Sequence, residues 1–117
     1  MIEPLRATKT DIDGLWQLSL KVIEDERGSV MEFYRQSEFE AAGLPSLGDR
    51  PQVNAPLSLK GTVRGVHAES AHKFVAAASG KVWAAIVDLR KDSPTVGQWR
   101  SFELERGQGL FVSSGLG

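Results

Sequence analysis

Apolar and polar positions alternate along this chain in short runs, with no long helical stripe. Residues 15–23 and 30–34 carry apolar and aromatic side chains in rough alternation and predict strands, separated by the charged stretch 24–29 that ends on Arg27-Gly28. Further strands are predicted at residues 52–58, 62–67, 73–78, 81–89, 98–105 and 110–112. Ser79-Gly80 between two apolar runs predicts a hairpin turn, and Asp92-Ser93-Pro94 with Gly97 predicts the next connection. Ser37 and Glu40 fit a capping box, and Ala41-Ala42-Gly43 supplies helix formers and a stop, so one short helix is expected there. A Pro/Gly-rich loop follows over residues 44–51. Both faces of the 81–89 run are mostly apolar, which predicts a central strand covered on both sides, with Trp83 and Trp99 in the core. Trp16 has no assignment from pattern alone. Many short, regularly spaced strands predict an all-β sandwich or jelly roll.

Composition narrows the class. At 117 residues the chain is expected to form one domain, residues 1–117, around a single core. A hydrophobic share of 41% against 25% charged residues marks an ordinary globular protein. The net charge of −1 offers no basic surplus for nucleic acid or an anionic membrane. With no cysteine, disulfides and thiolate metal sites are excluded. The N-terminal residues lack a basic segment followed by an apolar one, and no apolar run approaches membrane-spanning length, so a cytoplasmic location is expected.

The chemistry concentrates between Gly61 and Gly80. Gly61, His67, Glu69, Lys73 and Gly80 resemble the first cupin motif, G-x5-H-x-H-x3-E-x6-G, in spacing but not in residue type. A metal-binding cupin wants histidine where Glu69 stands and a carboxylate where Lys73 stands. An ammonium at that position repels a divalent cation and offers it no lone pair, so no metal is expected. One imidazole and one ammonium in a shared pocket suit proton abstraction beside a carbonyl, with the oxyanion held by the cation.

Longer stretches resemble the dTDP-4-dehydrorhamnose 3,5-epimerase family of cupins. Asp25-Glu26-Arg27-Gly28 with Glu32 resembles its D-x-R-G…E opening. Gln52-Val53-Asn54, Ser58-Leu59-Lys60-Gly61 and Arg64-Gly65-Val66-His67 resemble its Q-x-N…S-x-K-G…R-G-L-H run. Val87-Asp88-Leu89-Arg90 through Trp99 resembles its VDLR…SPTFGQW segment, the most specific of the three. The likeness covers about residues 20–117. It implies a cupin-type jelly roll that acts as a homodimer on a nucleotide-linked 4-keto-6-deoxy sugar, without metal or organic cofactor. His67 matches the catalytic base and Lys73 a lysine near the substrate carbonyl or phosphate. Arg27, Glu32, Gln52, Asn54 and Arg64 match positions that hold the nucleotide base and diphosphate, the Arg/Glu pair reaching across the dimer interface.

Four departures stand out. The link from His67 to Lys73 is shorter by about four residues than the family loop. Glu69 stands where glutamine is common, and Ile23 and Val30 stand where aromatics often flank the thymine. The second cupin motif, G-x5-P-x-G-x2-H, is legible as Gly107, Ser113 and Gly115 and would need its histidine at the next position. The chain therefore reads as truncated at the C-terminus, short of the family's tyrosine acid and base-orienting aspartate.

Each candidate also has an ordinary structural reading. A lone histidine is most often a bonded core residue, and only the surrounding motif favours His67 as a base. A strand-end lysine is usually solvated, and Gln52 and Asn54 share a parity that would also suit an outward polar edge. Arg27 in its turn could simply face water. Arg64, beside Gly65 and close to His67, is better placed for substrate. Arg90 reads as structural, paired with Asp88 or Asp92, and His72 as a rim residue. Tyr34 is the only tyrosine and sits too early in the chain to serve as the acid. Three readings follow: an epimerase inverting C3, C5 or both; a sugar-nucleotide-binding domain without turnover; and a 3,4-ketoisomerase on the same jelly roll.

Overall fold

The computed structural model describes residues 1–117 and is almost wholly β, with nine strands and one short helix. In chain order these are β1 (Ile2–Glu3), β2 (Arg6–Lys9), β3 (Leu15–Ser19), β4 (Lys21–Asp25), β5 (Gly28–Glu32), α1 (Gln36–Ala41), β6 (Lys73–Ala76), β7 (Lys81–Val87), β8 (Trp99–Glu105) and β9 (Gln108–Val112). They build a four-stranded sheet β2-β3-β9-β6, a three-stranded sheet β1-β4-β5 and a two-stranded sheet β7-β8. No helix is long and apolar enough to cross a membrane.

Strand alternation divides the core into two layers. On one face of the four-stranded sheet, Leu15, Leu110 and Val112 meet Leu104 of β8, with Ile12 and Leu116 closing the cluster and Ala84, Ile86 and Phe102 packed against it. On the other face Leu18 and Phe111 pack with Phe39 of α1 and Leu44. Phe74 joins this second layer, its ring edge-on to Phe39 with centroids 5.0 Å apart. β9 lies between β3 and β6, registering Leu18 with Gly109 and Ala76 with Gly109.

Several sequence expectations need correction. The run 15–23 is two strands, because the chain leaves the four-stranded sheet at buried Leu20, whose N–H donates to the Gly107 carbonyl at 2.8 Å. Helix α1 begins before the expected box: Arg35 is the N-cap without a side-chain cap bond, and Ser37 lies inside the helix. Gly43 does end it, at φ +84°. Ser79-Gly80 joins strands of different sheets, so it is no hairpin.

The 81–89 run is not a covered central strand. β7 pairs only with β8, and its outward face leaves Trp83 and Trp99 exposed at 65% and 57%. Trp16 is half-buried against the second layer, with the Lys9 ammonium over its ring. The strands expected at 52–58 and 62–67 do not form. That stretch has the right alternation but no neighbouring strand to ladder with, and Pro51 and Pro56 lack donors of their own. It runs as an exposed segment without strand pairing, turning where the Thr62 N–H donates to the Leu59 carbonyl, with Val53, Leu57, Leu59 and Val63 in solvent.

The expected link from 92 to 97 forms around Asp88, which is fully buried. Asp88 accepts from Arg90 Nε at 2.9 Å and Nη2 at 3.0 Å, from the Arg90 N–H, and from the Ser93 and Thr95 hydroxyls. The Arg90 guanidinium, with the two hydroxyls, holds this carboxyl far below the usual carboxylate range, against the opposing effect of burial. Arg90 is thereby structural and paired, and its stem passes under Gly115, where a Cβ would lie 2.6 Å from Arg90 Cγ.

Candidate active site

His67 lies in the exposed segment, which runs on to His72, and Lys73 opens β6 opposite Val112, so the ladder holds one end of the loop between them. The structure brings the two residues together: Lys73 Nζ donates to the His67 carbonyl oxygen at 2.6 Å. The ammonium thus closes the five-residue loop Ala68–His72 on itself. Its partner is a neutral dipole, so the positive charge stays uncancelled at the loop mouth.

The loop also rests on the turn after β9. The Gly115 N–H donates to the Glu69 carbonyl at 3.1 Å, and the Ser114 N–H donates to His72 Nδ1 at 3.0 Å. Gly117 has no room for a side chain, since a Cβ there would lie 2.7 Å from Val66 Cγ1. That turn is anchored in its own right: Gly117 and Val87 exchange two backbone hydrogen bonds, at 2.8 and 2.9 Å, and the Ser113 N–H donates to the Gly14 carbonyl. The His67–Lys73 loop is therefore seated on a platform built from β7, the Asp88–Arg90 clip and residues 113–117.

The polar residues of the exposed segment form two local pairs. Gln52 Nε2 donates to Asn54 Oδ1 at 3.3 Å, so their shared parity does place both amides on one side. Arg64 Nε donates to Ser58 Oγ at 2.9 Å, leaving its remaining N–H groups for an anionic guest. Arg27 and Glu32 sit apart from these, on the β4–β5 hairpin. Arg27 occupies the turn and pairs with Asp25, while Glu32 pairs with Arg35 at 2.9 Å. Each cation holds its carboxylate partner below the ordinary range, and each guanidinium is raised in return. Within one chain, then, the structure groups His67 with Lys73, Gln52 with Asn54, and Arg64 with Ser58; it does not join Arg27 or Glu32 to any of them.

Tyr34 lies edge-on to Phe39, centroids 4.6 Å apart, and beside Phe74. Phe74 points to the opposite face of β6 from Lys73, which puts the phenol in the layer away from the ammonium. His72 is exposed, as its reading as a rim residue expects, but its bond to the Ser114 N–H was not legible. Its partner Ser114 lies 42 residues downstream, and no local pattern announces such a bond.

Three comparisons bear on this arrangement. The family model described as dTDP-4-dehydrorhamnose 3,5-epimerase matches residues 9–117. A dTDP-4-dehydrorhamnose 3,5-epimerase of Mycobacterium tuberculosis is 35% identical over 118 residues, covering 96% of this chain and 58% of that protein. Among solved structures, a 4-keto-6-deoxy sugar epimerase from the novobiocin gene cluster of Streptomyces spheroides superposes with a TM-score of 0.84 at 32% identity, over 98% of this chain and 60% of the other. A dTDP-6-deoxy-D-glucose-3,5-epimerase of Legionella pneumophila, solved with dTDP-4-keto-L-rhamnose, superposes with a TM-score of 0.85 at 31% identity, over 97% and 62%. The chain spans about 58% of the length of the first curated relative it matches.

Proposed function

Because this chain belongs to the dTDP-4-dehydrorhamnose 3,5-epimerase family and shares its cupin-type jelly roll, we propose that it serves the epimerisation of a nucleotide-linked 4-keto-6-deoxy sugar. In this reading residues 1–117 act as one domain, within a cytoplasmic homodimer. The imidazole of His67 takes the proton from the carbon beside the C4 ketone. The C–H electron pair moves into a C=C bond, and the carbonyl π pair moves onto oxygen as an enolate. The Lys73 ammonium stabilises that oxyanion more than the parent ketone, which is what lowers the barrier. A proton delivered to the opposite face completes the inversion; Tyr34 is badly placed to deliver it. Gln52, Asn54 and Arg64 hold the nucleotide and diphosphate, and Arg27 and Glu32 reach the site of a second copy.

The observation that carries this reading is the family match over residues 9–117, and the 2.6 Å bond from Lys73 to the His67 backbone carbonyl supports it by setting the ammonium beside the residue matched to the base. The test is incubation with dTDP-4-keto-6-deoxyglucose in deuterium oxide, following the sugar C3 and C5 protons by NMR. Deuterium wash-in that falls by at least about 100-fold in His67→Ala supports the base assignment. Tight binding of the sugar nucleotide with no wash-in supports a binding domain instead. The full exposure of the segment bearing Gln52, Asn54 and Arg64 is what keeps that second reading in view.

A further inference from the structure

The tether between His72 and Ser114 joins the loop that follows His67 to the turn after β9. Accepting at Nδ1 requires a lone pair there, so the ring proton resides on Nε2. The ring is tilted 42° against Phe111, with centroids 5.9 Å apart, and Phe111 is fully buried in β9. His72 therefore stands on a rigid floor while its nitrogen grips the next turn. One residue away, Lys73 enters the β6–β9 ladder and reaches back to the His67 carbonyl.

We infer that His72 is a positioning residue: its Nδ1, by holding the Ser114 N–H, fixes the short loop so that His67 and Lys73 keep their mutual geometry. This rests on the epimerase reading for its catalytic consequence but not for its structural one. The physical case is one of counting constraints. The loop Ala68–His72 belongs to no strand and is wholly exposed, so apolar burial does little to hold it. Its fixed points are the Lys73 bond at one end, the Glu69 carbonyl in the middle, and His72. Removing the last leaves the Glu69 carbonyl as the loop's one remaining hydrogen bond to the turn after β9.

Three variants separate hydrogen bonding from space filling. His72→Phe keeps a ring over Phe111 and loses the acceptor. His72→Asn loses the ring but places Oδ1 close to where Nδ1 stood. His72→Ala loses both. In uniformly 15N-labelled full chain, amide hydrogen exchange at Ser114, and at Gly115 whose N–H donates to the Glu69 carbonyl, is expected to quicken by about fivefold in His72→Phe and His72→Ala, the factor one modest hydrogen bond is worth. It should stay near wild type in His72→Asn. The wild-type ring should show the 15N signature of an unprotonated Nδ1 and a protonated Nε2. Deuterium wash-in should follow the same order, down about fivefold in His72→Phe and rescued in His72→Asn.

Unchanged Ser114 exchange in His72→Phe, or a proton found on Nδ1, overturns the tether. Rescue of wash-in by phenylalanine with loss in asparagine overturns the positioning role in favour of packing. If wild type shows no wash-in at all, the epimerase reading fails while the exchange and 15N measurements still decide whether His72 orders the loop.

Discussion

Asp88 and Arg90 form a side-on pair in which one fully buried carboxylate takes two bonds, at 2.9 and 3.0 Å, from a guanidinium whose side chain is 26% exposed. The geometry turns the chain through residues 88–97 and carries the Arg90 stem beneath Gly115. Arg90→Met strands that carboxylate without its cation. We expect a loss of about 3 kcal/mol in urea unfolding, at the low end for buried pairs because Arg90 is partly solvated. Replacing both residues with apolar ones of similar volume should cost less than Arg90→Met alone.

The same pair sets an acid limit. The folded Asp88 carboxyl lies below its ordinary value, so the stabilisation it supplies is complete above about pH 5, where the unfolded carboxyl is also ionised, and erodes as acid protonates the unfolded form first. Stability should therefore fall as pH drops below about 5. Asp88→Asn, less stable at neutral pH, should show a shallower decline over that acid range, read as unfolding midpoints at successive pH values.

Gly109 sits where β9 crosses between β3 and β6, and a Cβ there would lie 2.9 Å from both Phe74 Cε1 and the Val75 carbonyl oxygen. The carbonyl belongs to a ladder that cannot step aside. Gly109→Ala is expected to destabilise by about 1–3 kcal/mol, measured by thermal or urea unfolding.

Two residues on adjoining strands should respond very unequally to truncation. Leu104 is 1% exposed between the sheets, and Leu104→Ala should cost about 2–5 kcal/mol. Trp83→Ser on the outward face should shift stability by less than about 0.5 kcal/mol. Its removal should also lower the acrylamide-quenchable tryptophan fluorescence, leaving the share from Trp99, since the two are 65% and 57% exposed.

The contrast between Leu104 and Trp83 shows what residue pattern can and cannot reveal. Alternation located β3, β7, β8 and β9 because each carries one face that must leave water, and the 92–97 turn was legible from its Pro and Gly. Alternation does not say which face is inward when both are apolar, so Trp83 and Trp99 were assigned to the wrong side. Nor does it supply a partner. Residues 52–58 look like a strand in isolation, yet a strand exists only where another backbone accepts its hydrogen bonds, and that is a non-local fact. The same limit hid the bond between His72 and Ser114. The motif spacing that singles out His67 and Lys73 is local and so can be read from sequence, whereas the platform beneath their loop is assembled from residues 14, 87–90 and 113–117.

A cation anchored by a carboxylate is oriented and neutralised in one act. Lys73 is oriented by a peptide oxygen, which steers the ammonium without supplying a counter-ion. The ammonium therefore keeps its net charge, and a guest that gains negative charge beside it is favoured over one that stays neutral.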